Sequence, residues 1–158
     1  MSLTLEIPGD RDLNLNGVVF DMNGTLTRDG LLVPGVATAL EELASTLKLY
    51  VMTADTFGTA KTTFATLPVE LVGIPAGQPG AEAKRDFIRR LGAESHAAVG
   101  NGHNDRLLLK EAALSICVIG PEGAHREALM ACDLVVTDPV AALELLLNPR
   151  RLIAGLRP

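Results

Sequence analysis

Short apolar runs and amphipathic helical segments alternate along nearly the whole chain, and no other feature of the sequence narrows its fold as far. Leu3, Leu5 and Ile7 alternate with polar neighbours, "PGDRD" supplies a turn, and Leu13 and Leu15 resume the alternation. This predicts a hairpin feeding the strand "GVVF". In "VPGVATALEELASTLK" the residues Val36, Leu40, Leu43 and Leu47 recur at helical spacing after Pro34, so a helix of about three turns is expected to end near Lys48. Strand "LYVM", helix "TFGTAKTTFATL", strand "VELVGI" and helix "GAEAKRDFIRRLGA", closed by Gly92, follow in turn. The pattern continues through strand "HAAVG", helix "DRLLLKEAA", strand "SICVIG", helix "GAHREALMA", strand "DLVVT" and helix "PVAALELLL". Strands that alternate with helices bury both faces of a parallel sheet. The expected class is therefore α/β, a doubly wound, mainly parallel sheet with an N-terminal β-hairpin.

With 158 residues, 47% of them hydrophobic, the chain can bury one substantial core, and residues 1–158 are expected to form a single domain without repeat or linker. The tail "NPRRLIAGLRP" is short, basic and partly apolar, suited to docking on the body or on a neighbour. A net charge of -5 leaves no broad basic field for nucleic acid or an anionic membrane. No apolar stretch has the length to cross a bilayer, and "MSLTLEIPGD" lacks the regions of a signal peptide. Cys117 and Cys132 lie in apolar runs and read as two buried thiols, neither a disulfide framework nor a metal-spaced pair. The expected compartment is the cytoplasm. Mean hydropathy is positive although aromatics are scarce and Trp is absent. That surplus suits either an aliphatic core or surface buried between subunits, and a homo-oligomer, dimer or tetramer, is expected.

Ligands of such sheets bind at the carboxyl ends of the strands, so the polar residues that follow each strand carry the chemistry. Asp21 follows "GVVF", Thr53 and Asp55 follow "LYVM", Lys84 lies in the helix after "VELVGI", and "GNGHND" follows "HAAV". Together they make a phosphoryl-transfer set: a carboxylate nucleophile, a hydroxyl and an ammonium for phosphate oxygens, and acidic groups for magnesium. Taken singly, each has a plainer reading. Asp21 could form a turn, Lys84 could be a solvated helix lysine beside Arg85, and Asp55 reads better as a helix cap than as a substrate ligand. His103 could reach phosphate or metal but reads as exposed, and His96 and His125 have no partner at ligand spacing. A phospho-accepting receiver would also use Asp, Thr and Lys, but it needs an acidic pair on an earlier strand. Glu6, Asp10 and Asp12 are not at an expected strand end.

The chain resembles the haloacid dehalogenase (HAD) superfamily of aspartate-nucleophile phosphatases and phosphotransferases, whose first motif is a strand followed by D-x-D-x-T. "DMNGTLT" matches it at Asp21, Gly24, Thr25 and Thr27 and departs at Asn23. "VMTAD" resembles the second motif through Thr53, Lys84 is similar to the third, and "GNGHND" resembles the fourth, with Asp105 matching and Asn101 replacing the usual first aspartate. Separations of 32 residues from Asp21 to Thr53 and 31 from Thr53 to Lys84 allow one βα unit between motifs. Within the superfamily the likeness is greatest to the phosphorylation domain of P-type ATPases, which carries Thr at the place of Asn23. "TADTFGTA" is similar to the pumps' T-G-D-N-x-x-T-A, and "GNGHNDRLLLKEA" to their G-D-G-x-N-D run. The implied group is that of small proteins labelled soluble P-type ATPases. The pumps' nucleotide-binding insertion and membrane helices have no counterpart in this sequence.

The resemblance implies a HAD-like Rossmannoid fold and attack by Asp21 on the phosphorus of a small phosphorylated substrate, followed by hydrolysis of the aspartyl phosphate. It implies a magnesium ion held by Asp21, the Asn23 main-chain carbonyl, Asp105 and Asn101. Phosphate contacts are implied for Thr53, Ala54, Lys84 and Gly24. Asparagine at position 23 cannot move a proton as the usual aspartic acid does, and losing a general acid costs about 10²- to 10⁴-fold. Aryl and acyl phosphates would suffer least. The expected activity is thus a weak magnesium-dependent phosphatase; the alternative is a phosphate-binding or regulatory module impaired by Asn23 and Asn101. No cap insertion is present: only a small hairpin at "RDG" fits after Thr27, and only "PAGQPGAEA" precedes Lys84. An open site of this kind suits closure by a neighbouring subunit. Both asparagines precede glycine, at Gly24 and Gly102, a pairing prone to deamidation unless the turn forbids the attack.

Overall fold

A computed structural model describes residues 1–54 and 58–158. The chain begins with the expected hairpin: β1 (Leu3–Glu6) pairs antiparallel with β2 (Asp12–Leu15), Leu3 opposite Leu15. Its alternate residues Leu3, Leu5, Leu13 and Leu15 are buried, as a two-residue period dictates for a ribbon with one covered face. The hairpin forms a separate two-stranded sheet and hands the chain to β3 (Gly17–Asp21), which is buried along its length.

Beyond β3, β4 (Thr27–Arg28) and β5 (Leu31–Leu32) make a small antiparallel hairpin, turning at Asp29 and Gly30 in left-handed conformations. Then come α1 (Val36–Leu43), β6 (Lys48–Thr53), α2 (Thr59–Thr63), β7 (Glu70–Gly73), α3 (Gly80–Leu91) and β8 (His96–Gly100). The chain ends with α4 (Arg106–Glu111), β9 (Leu114–Val118), α5 (Arg126–Ala131), β10 (Leu134–Val136), α6 (Pro139–Leu147) and α7 (Pro149–Leu156). Six strands form one parallel sheet in the order β10-β9-β8-β3-β6-β7.

The residues of β3 sort themselves to the two faces. Val18 and Phe20 join Val51, Val99 and Ile116 under α1, α6 and the N-terminal hairpin. Val19 points the other way, with Tyr50, Met52, Ala98 and Cys117, into a smaller cluster that includes Ile88, Leu108 and Ala128 from α3, α4 and α5. Burial on both faces makes these strands near-continuous apolar runs, the mark of a parallel sheet.

Two expectations are amended, for the first helix and for Cys132, and of the two places open to the tail one is taken. The first long helix stops at Leu43, because Ser45 and Thr46 turn the chain: the Ser45 hydroxyl and amide both donate to the Glu42 carbonyl, at 2.8 and 3.2 Å. Leu47, at helical spacing, instead sits at the entry to β6, buried in the core. The tail docks on the body as α7, with Leu152 fully buried and Gly155 against Leu134. Of the two thiols, Cys117 is buried and Cys132 only half-buried; both are free.

Candidate active site

Three neighbouring strands end in polar residues side by side. Parallel register sets Asp21 opposite Met52 and Phe20 opposite Val99, so Asp21, Thr53 and Asn101 emerge together at the carboxyl edge of the sheet. They line one cavity of about 210 Å³ with Asn23, Ala54, Ile74, Lys84, Gly102, Asn104 and Glu122. Asp105 and Gly24 stand outside that lining. Asp55, read as a helix cap, lies outside the described residues.

Lys84 is the electrostatic centre. On the first turns of α3 it is 1% exposed, with Nζ 2.6 Å from Asp21 Oδ1 and 2.7 Å from Asp105 Oδ1. A solvated helix lysine would not be held so, and Arg85, the residue that could be mistaken for it, pairs with Asp86 instead. Burial is the largest influence on the ammonium and pushes its pKa down, but the two carboxylates outweigh it and the pKa is raised. Asp21 is pushed up to about 6, first by burial and then by the charge of Asp105, against the pull of Lys84 and Thr25. Two buried carboxylates with one ammonium retain excess negative charge, a setting made for a further cation.

The loop after β8 is organised around Asp105, which is completely buried. Its Oδ2 accepts from the Asn101 and Gly102 amides at 3.0 and 2.9 Å, while Oδ1 accepts from Lys84. Gly100 permits this arrangement, since a side chain there would collide with the Asp105 carboxyl at 2.6 to 2.8 Å. Asn101 is buried too, and its Oδ1 lies 3.1 Å from the Thr25 hydroxyl, which is also 3.2 Å from Asp21 Oδ2. One hydroxyl proton thus couples the first and last loops of the site.

The turn after Asp21 is tight. The amides of Thr25, Leu26 and Thr27 all converge on the Met22 carbonyl, and Gly24 N–H donates to the Thr27 carbonyl at 3.0 Å. Gly24 has φ of +74°, and a side chain there would collide with Glu122 and with Asn101 Nδ2, so the position needs glycine on two counts. Its amide is engaged, leaving close approach as its part in the site. The Asn23 side chain is exposed, held by a marginal 3.4 Å contact from the Thr27 hydroxyl. Its carbonyl accepts no backbone hydrogen bond among the described residues.

The oxygen donors fit a hard divalent cation. Carboxylate oxygens of Asp21 and Asp105 converge at Lys84, the Asn23 carbonyl is unengaged, and the Asn101 amide oxygen lies beside Asp21 across Thr25.

Of the histidines, His103 lies outside the cavity, 55% exposed, edge-on to His125 with ring centroids 4.6 Å apart. His96 is buried, its Nδ1 2.8 Å from the Gly92 carbonyl. Ile74, Asn104 and Glu122 line the cavity without having been singled out as site residues; Glu122, in the loop between β9 and α5, belongs to no recognised motif.

No family model matches the chain. Solved structures overlay on nearly its full length. The cobalt-bound deoxy-D-mannose-octulosonate 8-phosphate phosphatase of Haemophilus influenzae covers 87% of this chain and 90% of its own at 16% identity, with a TM-score of 0.70. The corresponding enzyme of Moraxella catarrhalis, solved with magnesium, phosphate and its sugar, covers 89% of this chain and 90% of its own, again at 16% identity and a TM-score of 0.70. A haloacid dehalogenase-like hydrolase of Streptococcus pneumoniae covers 82% and 97% at 15% identity, with a TM-score of 0.64. The fold is that of the HAD hydrolases. Among curated proteins, an uncharacterized protein of Methanocaldococcus jannaschii is 57% identical over 60 residues, a match spanning 38% of this chain and 64% of that protein. Among the described residues, no helix of this HAD-like fold is long and apolar enough to cross a membrane.

Proposed function

We propose that residues 1–158 act as one magnesium-dependent phosphohydrolase unit that forms an aspartyl phosphate on Asp21. The observation that carries this reading is the convergence of the buried Asp21 and Asp105 carboxylates on Lys84 beside a cavity lined by Thr53. A pure anion binder would gain little from two carboxylates facing its ligand. The magnesium-, phosphate- and cobalt-bound neighbours add weight to the reading.

The magnesium would be held by Asp21, Asp105, the Asn23 carbonyl and Asn101, and when bound it supplies positive charge against the phosphate oxygens. Thr53 and the Ala54 amide hold the transferring group in line, and Lys84 offsets its charge while fixing the nucleophile. An ionised Asp21 oxygen bonds to phosphorus as the bond to the leaving oxygen breaks, and that oxygen takes up a proton delivered through water in the open cavity. Water then attacks phosphorus, the bond to Asp21 breaks, and inorganic phosphate leaves with the carboxylate restored. Asn23 cannot move these protons, so the reading is of low activity, greatest on aryl and acyl phosphates.

Within the superfamily we place the chain beside the phosphorylation domain of P-type ATPases, on its motifs alone. The substrate is a small phosphate ester in the cytoplasm. A homo-oligomer closes the open site, a reading supported by Leu31 on the hairpin after the nucleophile turn and by Met130, 73% and 84% exposed. Sedimentation at micromolar concentration showing only monomer overturns that assembly.

The activity is tested with p-nitrophenyl phosphate. Hydrolysis should require magnesium and fall roughly 10⁴-fold or more in Asp21→Asn. Turnover that survives Asp21→Asn overturns the mechanism, and phosphate binding without turnover favours the regulatory module.

A further inference from the structure

We infer that Glu122 is the proton-transfer residue of this site, giving a proton to the leaving oxygen and later taking one from the attacking water. The inference rests on the phosphohydrolase reading above and deepens it.

Glu122 is carried by the turn Gly120–Gly123, closed by a 2.8 Å bond from the Gly123 amide to the Gly120 carbonyl. This loop lies against one half of the site and is bonded to the other. A side chain on Gly120 would lie 3.2 Å from the Gly24 carbonyl, and the His125 amide donates to the Asn101 carbonyl at 2.9 Å. The loop therefore leans on the nucleophile turn at one end and on the metal loop at the other. Between these fixed points the Glu122 carboxylate reaches over Gly24, one residue beyond Asn23, and lines the same cavity as Asp21, Asn23 and Thr53.

Its bonding state matters equally. Asp21 and Asp105 are held by Lys84, and Asp105 also by two backbone amides. Among the described residues no hydrogen bond or ion pair engages the Glu122 side chain. It is exposed at the cavity mouth, so it can exchange protons with water and with a leaving group on the open side. A carboxyl at this position fills the chemical gap left by Asn23, whose amide neither donates nor accepts a transferable proton.

The proton ledger closes. In the first step Asp21 bonds to phosphorus, the phosphorus–oxygen bond to the leaving group breaks, and the Glu122 carboxylic acid protonates the departing oxygen. In the second, water bonds to phosphorus, the bond to Asp21 breaks, and the Glu122 carboxylate takes the water proton, regaining its starting state.

The test follows leaving-group release from p-nitrophenyl phosphate and from glycerol phosphate in the magnesium-loaded full chain. In Glu122→Gln, alcohol release from glycerol phosphate should fall about 10²-fold, because a poor leaving group needs the acid. The initial burst of nitrophenolate should stay within about threefold of wild type, since that leaving group needs none, and slow turnover should follow. Adding Asn23→Asp should raise glycerol release more in Glu122→Gln than it does in wild type, because the new acid then replaces a missing one; a merely structural defect would give the same gain in both backgrounds. Asp21-dependent turnover with the same ratio of the two substrates in wild type and Glu122→Gln overturns the role of Glu122 alone. Absence of Asp21-dependent turnover in wild type overturns the phosphohydrolase reading and this role with it.

Discussion

The two asparagines of the site stand where the related motifs carry other residues, yet their surroundings are opposite. Asn101 is buried, with its amide on Asp105, its side-chain oxygen beside Thr25 and its carbonyl on His125. Asn23 is exposed, and among the described residues only a 3.4 Å bond from the Thr27 hydroxyl touches its side chain. The first is a strut between two loops; the second lines the open cavity. Under the proposed function the same amide chemistry has different consequences at the two places: at 101 it removes one charge from the proposed metal site, and at 23 it removes the proposed proton carrier.

Exchanging each for aspartate separates these consequences. Asn23→Asp should raise glycerol phosphate hydrolysis by about 10²-fold, the low end of a general acid's contribution, because Glu122 already supplies part of it. Its magnesium dependence should not move, since the main-chain carbonyl is the ligand there. Asn101→Asp should do the reverse, lowering the magnesium concentration for half-activity roughly tenfold through one added anionic donor, without changing the preference among leaving groups. If both variants shift the same observable, the division between strut and proton site is wrong.

Between the asparagines, Asp21 itself carries a stability signature. Its pKa is raised from 3.8 to about 6 by burial and by Asp105. In this direction the folded state holds a proton that the unfolded chain has released. The favourable contribution is thus complete below about pH 3.8 and is lost as pH rises through about 6. The loss amounts to at most about 3 kcal/mol. Without metal, Asp21→Asn should therefore be more stable than wild type at pH 7, and the difference should close on acidification to pH 4. Thermal unfolding in chelator at the two pH values measures it. A variant less stable than wild type at pH 7 would mean that the Lys84 pair outweighs the cost of burying two carboxylates.

Much of this arrangement is legible in the sequence. Alternating strands and helices gave the α/β class, and the order of Asp21, Thr53, Lys84 and Asp105 gave the residues that meet at the strand ends. Periodicity misled at Leu47, where helical spacing continues past the end of α1, which the Ser45 hydroxyl on the Glu42 carbonyl has already turned toward β6. The strand order that makes β3 central arises from long-range packing and left no local signal. Glu122 was illegible for a related reason: its place depends on a turn packed between two loops distant in sequence, and its surroundings "GPEGAH" match no motif.

The smallest effect concerns the chemical durability of the same two residues. Asparagine before glycine deamidates when the following amide nitrogen attacks the side-chain carbonyl, which requires that nitrogen to be free to rotate toward it. Neither nitrogen is free here: Gly24 N–H is bonded to the Thr27 carbonyl at 3.0 Å and Gly102 N–H to Asp105 Oδ2 at 2.9 Å. Gly24 is further fixed at a φ of +74° between Glu122 and Asn101. Attack at either place would have to break a bond that organises the nucleophile turn or the buried acidic loop, so the folded protein should resist a reaction to which its sequence is prone. Of the two, Asn23 is the weaker point, because its exposed side chain can rotate and the Gly24 amide is held by a carbonyl, whereas the Gly102 amide is held by the buried Asp105 carboxylate. Storage at mildly alkaline pH should leave both peptides intact by mass while the same peptides deamidate after digestion, and phosphatase activity should stay level. Activity that grows in step with deamidated Asn23, and fails to grow in Asn23→Gln, would show the turn to be looser than its hydrogen bonds imply, and the contrast between the two asparagines to be larger.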